Sequence, residues 1–297
     1  MPIRIKHAFR RIFTSPEYVL RPQNVLRRLL LRRKYHQLQV AIVLPFGATI
    51  LVEEGDYIGN HLINTRCYDP ALSELIWRLV QPGDVCVDVG ANIGYITLLM
   101  AMRCGPRGRC VSFEADPVIY EKLKQNTARN NLGQVVILHN LAASNENKSL
   151  FFQSARGLNC GLGHVVESGN VGAEAGSLIT IQAVPLDEHL SAYPFIRVVK
   201  LDVEGHEYRV LQGMDRMLRE HRVGNLFFEN HERETSPILP LLTGFGYQVF
   251  QIAKRFSGPS LGKINELSGY NLEPNYVATL CPDALSALAH NKGWHVF

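Results

Sequence analysis

The sequence predicts an α/β fold in which helices cover both faces of a mostly parallel sheet. Two observations predict it: short apolar runs alternate with helical patterns, and glycine- or asparagine-containing turns separate the two. Uninterrupted apolar runs suit strands that are buried on both faces, as a parallel sheet requires. With 297 residues, 46% of them hydrophobic, the chain can bury a substantial core in one large domain or two smaller ones.

Two segments precede the predicted sheet. Residues 1–38 contain ten Lys and Arg against a single acid, Glu17, and are typical of one or two basic helices. Such helices either pack on the main domain or make weak peripheral contact with an anionic membrane surface or a polyanionic substrate. Residues 39–81 then predict a β-hairpin around Pro45-Phe46-Gly47 and a helix from Pro70 to Val80.

The central stretch is VCVDVGANIGYI, residues 85–96. An apolar strand breaks at Gly90-Ala91-Asn92 and gives way to an apolar helix, residues 93–102. Glycine at the turn lets the backbone approach a ligand closely, and the N–H groups that open the helix favour an anionic group. The next predicted strand ends in an acid, Glu114. This order of strand, glycine turn, helix and acidic strand end is how Rossmann-like folds hold an adenosine-bearing cofactor.

The polar residues of this turn discriminate between cofactors. A dinucleotide site requires G-x-G-x-x-G, whose middle glycine admits the pyrophosphate, but Asn92 stands at that position and Asp88 lies just before the turn. A carboxylate there repels a pyrophosphate and attracts a cation. S-adenosylmethionine (SAM) carries a sulfonium and an ammonium, and its ribose suits Glu114. The charge pattern favours SAM over NAD; the alternative is a structural βα unit with an incidental acid.

The rest of the chain predicts about seven main strands, the last two antiparallel neighbours. A glycine-rich segment, residues 154–177, predicts either a loop that covers the substrate or disorder. The remaining predicted helices are 117–131, 186–190, 207–219 and 237–243, and the remaining strands are 135–139, 178–184, 195–203, 224–229, 247–252 and 276–280.

A second polar cluster follows the strand that ends near residue 203. Strand alternation places Lys200, Asp202 and Glu204 on one face, and ligands of open α/β sheets bind beyond the carboxyl ends of the strands. The structural interpretation is that Lys200 is the partner of one of these acids. The functional interpretation is that Asp202, Glu204 and His206 line the pocket in which the methyl group is transferred.

With these segments in view, the sequence resembles the FkbM family of SAM-dependent methyltransferases. Three blocks carry the resemblance in matching order and spacing: GDVCVDVGANIG at 83–94, FEADP at 113–117 and KLDVEGHE at 200–207. Residues 275–278 also resemble the closing strand of the family. Three blocks over roughly residues 45–280 are much more specific than a single glycine motif.

The resemblance implies a Rossmann-like class I methyltransferase fold with a seven-stranded, mostly parallel sheet. The methyltransferase domain is expected over residues 82–281, followed by a helix or tail over 282–297. It also implies methyl transfer to oxygen, commonly on sugars or polyketide-like natural products. By position, the methionine-side loop comprises Asp88, Gly90, Ala91, Asn92 and Gly94, Glu114 binds the ribose hydroxyls, and Ala115, Asp116 and Asn140 complete the cofactor site near the adenine.

An alcohol acceptor must lose its proton, so a general base is expected. His206 is the first candidate because an unperturbed imidazole titrates near neutral pH. Asp202 and Glu204 are also predicted catalytic residues, and His231 is a further possibility. Asp202, Glu204 and Glu229 are oxygen ligands that suit Mg²⁺, although nothing in their spacing requires a metal. The alternative functions are an NAD-dependent oxidoreductase and a non-catalytic SAM-binding or membrane-docking module.

Composition sets the remaining expectations. The formal net charge of +4 does not by itself imply a nucleic-acid partner, and the expected acceptor is a small molecule, lipid or glycan. Six cysteines show neither a C-x-x-C pair nor a zinc-ligand spacing, which favours a reduced, cytoplasmic protein. No apolar run is long enough for a membrane-spanning helix.

Overall fold

The computed structural model describes residues 16–25, 39–154, 163–166, 178–232, 235–263 and 274–297. The predicted basic extension, residues 1–38, lies mostly outside these ranges, as does most of the predicted glycine-rich loop. Of the extension, residues 16–25 are described and contain a short helix, α1 (Pro16–Val19). This helix packs on the domain, because the buried Glu17 carboxylate forms an ion pair of 2.9 Å with Lys254.

Strands and helices alternate through the described chain. The strands are β1 (Gln39–Val43), β2 (Thr49–Glu53), β3 (Val85–Val89), β4 (Arg109–Phe113), β5 (Val136–His139), β6 (Ala142–Ala143), β7 (Lys148–Gln153), β8 (His164–Val166), β9 (Leu178–Val184), β10 (Ile196–Leu201), β11 (Val223–Glu229), β12 (Gln248–Arg255), β13 (Gly258–Gly262) and β14 (Asn275–Thr279). The other helices are α2 (Tyr57–Thr65), α3 (Pro70–Leu79), α4 (Tyr95–Cys104), α5 (Pro117–Arg129), α6 (Leu186–His189), α7 (Glu207–Gln212), α8 (Asp215–Arg219), α9 (Ile238–Gly244) and α10 (Pro282–His290).

The main sheet has the order β13-β12-β14-β11-β10-β3-β4-β5. Strands β5, β4, β3, β10 and β11 run parallel to one another, whereas β14 is antiparallel to both β11 and β12. The predicted α/β class and the antiparallel closing pair are therefore confirmed. The sheet has eight strands in the described chain rather than the predicted seven, because β13 pairs with β12 beyond the predicted edge.

Apolar side chains cover both faces of this sheet. Along β3, Cys86 packs into one apolar cluster with the β1–β2 hairpin and α3, whereas Val87 and Val89 pack into the opposite cluster with residues of α7 to α9. This alternation explains why the strand sequence is apolar at nearly every position, since both faces are buried.

Two predictions are wrong in part, because contacts with distant parts of the chain override the local pattern. Residues 178–184 form a strand, as predicted, but this strand, β9, belongs to a separate four-stranded sheet of order β6-β9-β7-β8, called here the small sheet. The predicted helix 207–219 is divided at Gly213, where a Cβ atom would lie 1.9 Å from the Ser144 carbonyl oxygen. The Asp187 carboxylate then accepts from the N–H groups of Arg216 and Met217 in the second helix.

The predicted hairpin forms and is fastened to α5 and its C-terminal cap by two asparagines one helical turn apart. Thr49 donates its N–H to Asn130 Oδ1 and Leu51 donates to Asn126 Oδ1, both at 2.7 Å. Asn126 also donates to the Ile93 carbonyl at 2.8 Å. The hairpin and the turn after β3 therefore share one buried amide side chain.

The C-terminal residues pack on α3. Glu74, with no exposed surface, forms an ion pair of 2.7 Å with Arg78 and accepts from the backbone N–H and ring of His295 at 2.6 Å. Arg78 donates to three backbone carbonyls between Leu288 and Gly293. In the described part of the chain, no helix combines the length and apolar character needed to cross a membrane.

Candidate active site

A cavity opens at the carboxyl ends of β3, β4 and β10 and is covered on one side by the small sheet. About 660 Å³ of space free of protein atoms lies between its walls, counting its open mouth. This position, beyond the ends of parallel strands, is where open α/β sheets bind ligands.

The glycine turn after β3 forms one wall. Gly90 has φ of +73° and lies against β10 so closely that a Cβ atom would be 1.8 Å from the Asp202 carbonyl oxygen. The N–H groups of Gly90 and Ala91 both donate to the Phe113 carbonyl at 3.0 Å. Asn92 follows with φ of +51°, a left-handed conformation that asparagine adopts more readily than most residues. The turn is therefore held by both neighbouring strands.

Glu114, at the end of β4, is buried and held by the backbone on two sides. Its Oε2 accepts the Asn92 N–H at 2.8 Å and its Oε1 accepts the Asp116 N–H at 2.9 Å. Burial raises the pKa of this carboxyl to about 7, although both hydrogen bonds act in the opposite direction. Each carboxylate oxygen retains a second acceptor position, so Glu114 fits the two hydroxyls of a ribose.

The neighbouring wall is apolar. Ala115, just before α5, and Ile119 in its first turn line this part of the cavity together with Phe152 and Val165 of the small sheet. Gly163 packs on the Phe152 ring, where a Cβ atom would come within 2.6 Å.

Asp116 and Asn140 stabilise this wall through hydrogen bonds. Asp116 Oδ1 caps α5 by accepting from Val118 N–H at 2.8 Å, and Oδ2 accepts from the Ser154 hydroxyl. The Asn140 amide donates to the Glu114 carbonyl at 2.8 Å.

Lys200 links the turn to the opposite wall. Its buried ammonium is 2.9 Å from Asp202 Oδ2, 3.4 Å from the Gly90 carbonyl and 3.9 Å from Asp88 Oδ1. Asp88 is wholly buried and accepts from the Thr97 hydroxyl at 2.6 Å. Burial raises the pKa of Asp88, partly offset by Lys200 and Thr97. For Lys200, the attraction of Asp202 and Asp88 outweighs the effect of burial, so its pKa is raised and the ammonium stays charged.

The residues after β10 form the last wall. Asp202, Glu204 and His206 all line the cavity, and the His206 ring nitrogen Nε2 is 3.0 Å from the Ser144 hydroxyl of the small-sheet side. Glu207 Oε1 accepts the Val203 N–H at 3.0 Å and thereby fixes the bend. Burial, Asp202 and Glu207 raise the pKa of Glu204.

Comparison with known proteins identifies the family. The profile of the Methyltransferase FkbM domain matches residues 88–249, which is more than half of the chain. The chain belongs to the FkbM methyltransferase family. This match confirms the resemblance predicted from the three sequence blocks, and with it the predicted cofactor, SAM.

Two methyltransferases to which this chain is similar differ in how much of it they match. Hexuronic acid methyltransferase AglP of Haloferax volcanii is 31% identical over 147 residues, which are 49% of this chain and 56% of AglP. The chain thus spans little more than half the length of that relative. The 31-O-demethyl-FK506 methyltransferase FkbM of Streptomyces tacrolimicus is 27% identical over 237 residues, 69% of this chain and 88% of that protein.

Among solved structures, fibrillarin of Aeropyrum pernix with bound SAM gives a TM-score of 0.42 at 11% identity. The superposition covers 85% of this chain and 87% of fibrillarin.

The FkbM fold brings most of the predicted site residues to one cavity. Gly90, Asn92, Glu114, Ala115, Asp116, Asp202, Glu204 and His206 line it. Asp88, Ala91, Gly94 and Asn140 do not line it and support the turn or the strand ends from behind. Gly94, for example, precedes α4 with φ of +98° and packs on Leu123 of α5.

Two acids outside the predicted catalytic set also border this region. Glu229 ends β11 beside β10, and Asp69 precedes α3; both flank Asn275, whose amide donates to Asp69. Burial and the neighbouring Asp202 raise the pKa of Glu229 to about 8. The sequence rule that identifies Glu114, an acid at a strand end, also identifies Glu229. No group of three or more His, Cys, Asp and Glu in the described chain is arranged to hold a metal ion.

Proposed function

We propose that this protein transfers the methyl group of SAM to a hydroxyl oxygen of a sugar, lipid or natural-product acceptor. The observation that carries the proposal is the Glu114 carboxylate, which faces the cavity while two backbone N–H groups fix both of its oxygens. A buried carboxylate fixed in this way can accept two hydroxyl hydrogen bonds at once, as the ribose of an adenosine cofactor requires.

The charges of the site support a cationic cofactor. Asp202 and Glu204 line the cavity, and Asp88 lies behind the glycine turn. A pyrophosphate would face these carboxylates, whereas a sulfonium is attracted by them. The donor set therefore fits SAM better than a dinucleotide.

Transfer to oxygen is supported by the relatives and by the chemistry of the wall after β10. One relative is named as a methyltransferase of a hexuronic acid and another as a 31-O-demethyl-FK506 methyltransferase. SAM supplies an activated methyl group whose transfer is an in-line displacement. The protein's part is to align the acceptor and to remove its proton, for which Asp202, Glu204 and His206 are the candidates within the cavity.

Calorimetry of cofactor binding tests the first half of the proposal. The purified chain should bind SAM and S-adenosylhomocysteine (SAH) but not NADH, and Glu114→Gln should bind SAH much more weakly. Glu121→Gln, on the exposed face of α5, is the matched control and should bind normally. A folded wild-type chain that binds neither SAM nor SAH contradicts the proposal.

A transfer assay tests the second half. Radiolabelled SAM is offered with neutral glycans, hexuronic-acid glycans, lipid extracts and macrolides, and label should enter one of these acceptor classes as an alkali-stable methyl ether. Label that enters only protein or nucleic acid would contradict the assignment of the acceptor.

A further inference from the structure

The described walls of the cavity carry carboxyl groups but neither an ammonium nor a guanidinium group. The acids among the described lining residues are Glu114, Asp116, Asp202 and Glu204. No lysine or arginine of the described chain belongs to this lining. An anionic group that enters the cavity therefore meets no cationic lysine or arginine side chain among these residues that could replace its hydration, and a buried charge without a partner is costly.

Lys200 lies behind this wall, and its charge is already balanced. Its Nζ is 2.9 Å from Asp202 Oδ2, 3.4 Å from the Gly90 carbonyl and 3.9 Å from Asp88 Oδ1. Only 9% of its side chain is exposed, so Lys200 would have to leave these contacts in order to reach a ligand. Lys200 therefore does not provide a binding site for a carboxylate of the acceptor.

The order of the strands indicates which acids face the acceptor. Glu114, the proposed ribose partner, follows β4, and the glycine turn follows β3, which lies between β4 and β10. A cofactor whose ribose binds at β4 and whose methionine part follows the glycine turn extends toward β10. Its methyl group is then transferred beside the residues that follow β10, and the acids of that wall are Asp202 and Glu204.

The bend that carries these two acids is fixed by hydrogen bonds to the backbone. Asp202 donates its N–H to the Val89 carbonyl at 3.0 Å. Glu207 Oε1 accepts the N–H groups of Val203 and Gly205 at 3.0 and 3.3 Å. The two acids are thereby held at the cavity wall. Ionised carboxyl groups accept hydrogen bonds and donate none, so they suit the hydroxyls of a sugar and repel an anion.

We propose that the sugar unit methylated by this protein is uncharged, so that a neutral hexose is an acceptor and a hexuronic acid is not. This inference rests on the proposed function and names the class of its acceptor. Asp202 and Glu204 accept hydrogen bonds from hydroxyls of the sugar and exclude a carboxylate, because like charges brought together at a binding site suppress the wrong partner. The preference separates this chain from AglP, a relative named for a hexuronic acid.

The test offers three pools of acceptors to the chain with radiolabelled SAM. The first contains neutral glycans of glucose, galactose and mannose, and the second contains glycans of the corresponding hexuronic acids. The third is the second pool after its carboxylates have been converted to amides, which removes the charge and nearly keeps the shape. The assay is run at about pH 8, where an unperturbed imidazole is neutral, so that the result does not depend on a charge on His206.

The neutral pool should be labelled, and the hexuronic pool should be labelled about 100-fold less. Amidation should restore labelling of the hexuronic pool, because only the charge has been removed. Equal labelling of the neutral and hexuronic pools, or stronger labelling of the hexuronic pool, overturns the inference. An amidated pool that is labelled no better than its parent also overturns it, since shape rather than charge would then exclude these glycans.

A variant tests whether the acids after β10 cause this preference. Glu204→Gln removes one carboxylate and nearly keeps the size of the side chain, so the ratio of neutral to hexuronic labelling should fall about tenfold. Glu121→Gln, the same charge change on the exposed face of α5, is the matched control and should leave the ratio unchanged. A folded Glu204→Gln chain with the wild-type ratio overturns the inference. If this variant does not fold or is inactive, the comparison of native and amidated pools decides.

Failure of this inference differs from failure of the proposed function. If the chain binds neither SAM nor SAH, the function itself is wrong. If it binds both and labels hexuronic glycans as well as neutral ones, the methyltransferase proposal stands and the preference for an uncharged sugar is wrong. If only a lipid extract or a macrolide is labelled, the proposed function also stands and the inference of a sugar acceptor is wrong.

Discussion

Replacing Gly90 by alanine tests whether the cofactor site depends on the close contact between the turn and β10. The new Cβ would lie 1.8 Å from the Asp202 carbonyl oxygen, and this separation must open to at least 3.4 Å for ordinary contact. Either the turn moves away from β10 or the end of β10 moves, and both elements border the cavity.

The cost has two parts. Alanine at φ of +73° costs about 1 kcal/mol for the left-handed conformation, and forced overpacking of a fixed backbone adds about 1–3 kcal/mol. For a chain of this size the total lowers the melting temperature by roughly 3–6 °C. Displacing a binding wall by an ångström or more is expected to weaken SAH binding, and to slow methyl transfer by roughly 100-fold.

Gly83→Ala is the matched control. Gly83 also has a positive φ, +94°, but nothing lies within 4 Å of the Cβ position. It should therefore incur only the conformational cost, with SAH affinity unchanged. Thermal melting and SAH calorimetry on the two variants separate the steric clash with β10 from the conformational cost of alanine at a positive φ. If Gly90→Ala binds SAH as the wild type does and melts like Gly83→Ala, the close contact does not shape the site.

Three further predictions concern the same fold. In calorimetry, SAH affinity should rise between about pH 6 and pH 8, because the pKa of Glu114 is about 7 and only an ionised carboxyl can accept both ribose hydroxyls. In the ligand-free chain, the stability that Glu114 contributes is complete below its unfolded pKa, 4.5, and is lost as pH rises through 7. A free energy of urea unfolding that does not change with pH, with or without ligand, would contradict the burial of this charge. Asn126→Ala should lower the free energy of urea unfolding by about 2–3 kcal/mol, because it leaves buried backbone groups of the hairpin and the turn without a hydrogen-bond partner. Replacement of the exposed Gln125 by alanine should change it little. Glu74→Ala should lower the free energy of unfolding by about 3–5 kcal/mol, because Arg78 is left buried without a carboxylate. A double replacement of Glu74 and Arg78 by leucine should lower it less. A double variant that is less stable than Glu74→Ala would refute the ion-pair explanation.

The sequence was sufficient for the elements whose environment is set locally. The run at 85–89 is apolar at nearly every position because both faces of β3 are covered, and Gly90 with Asn92 marks the turn because both adopt positive φ. Asp69 before Pro70 likewise marks the start of α3 through its cap on the Leu72 N–H. In each case the physical cause lies within a few residues of its effect.

Long-range partners could not be predicted in the same way. Residues 178–184 have the composition of a core strand, but pairing with β7 rather than with the main sheet is decided by residues much earlier in the chain. Strand β13 begins with Gly258 and Pro259, which are poor strand formers, and forms because β12 offers a free edge.

The candidate site shows the same division. Glu114 and Asp202 can be predicted because each follows its own apolar strand. Glu229 also follows an apolar strand and is named from the sequence as a possible Mg²⁺ ligand, but its proximity to Lys200 depends on how β11 pairs with β10. The burial of Asp88 behind Lys200 depends in turn on how β3 pairs with β10.

The double role of Asn126 has a practical consequence. Its side chain joins the Leu51 N–H of the hairpin to the Ile93 carbonyl that follows the glycine turn. When a ligand tightens that turn, the opening of this amide bridge should become rarer, and deuterium uptake at Leu51 should slow although Leu51 belongs to a different sheet. The hairpin thus provides a remote reporter, suited to fluorine or isotope labelling, for occupancy of a site it does not form.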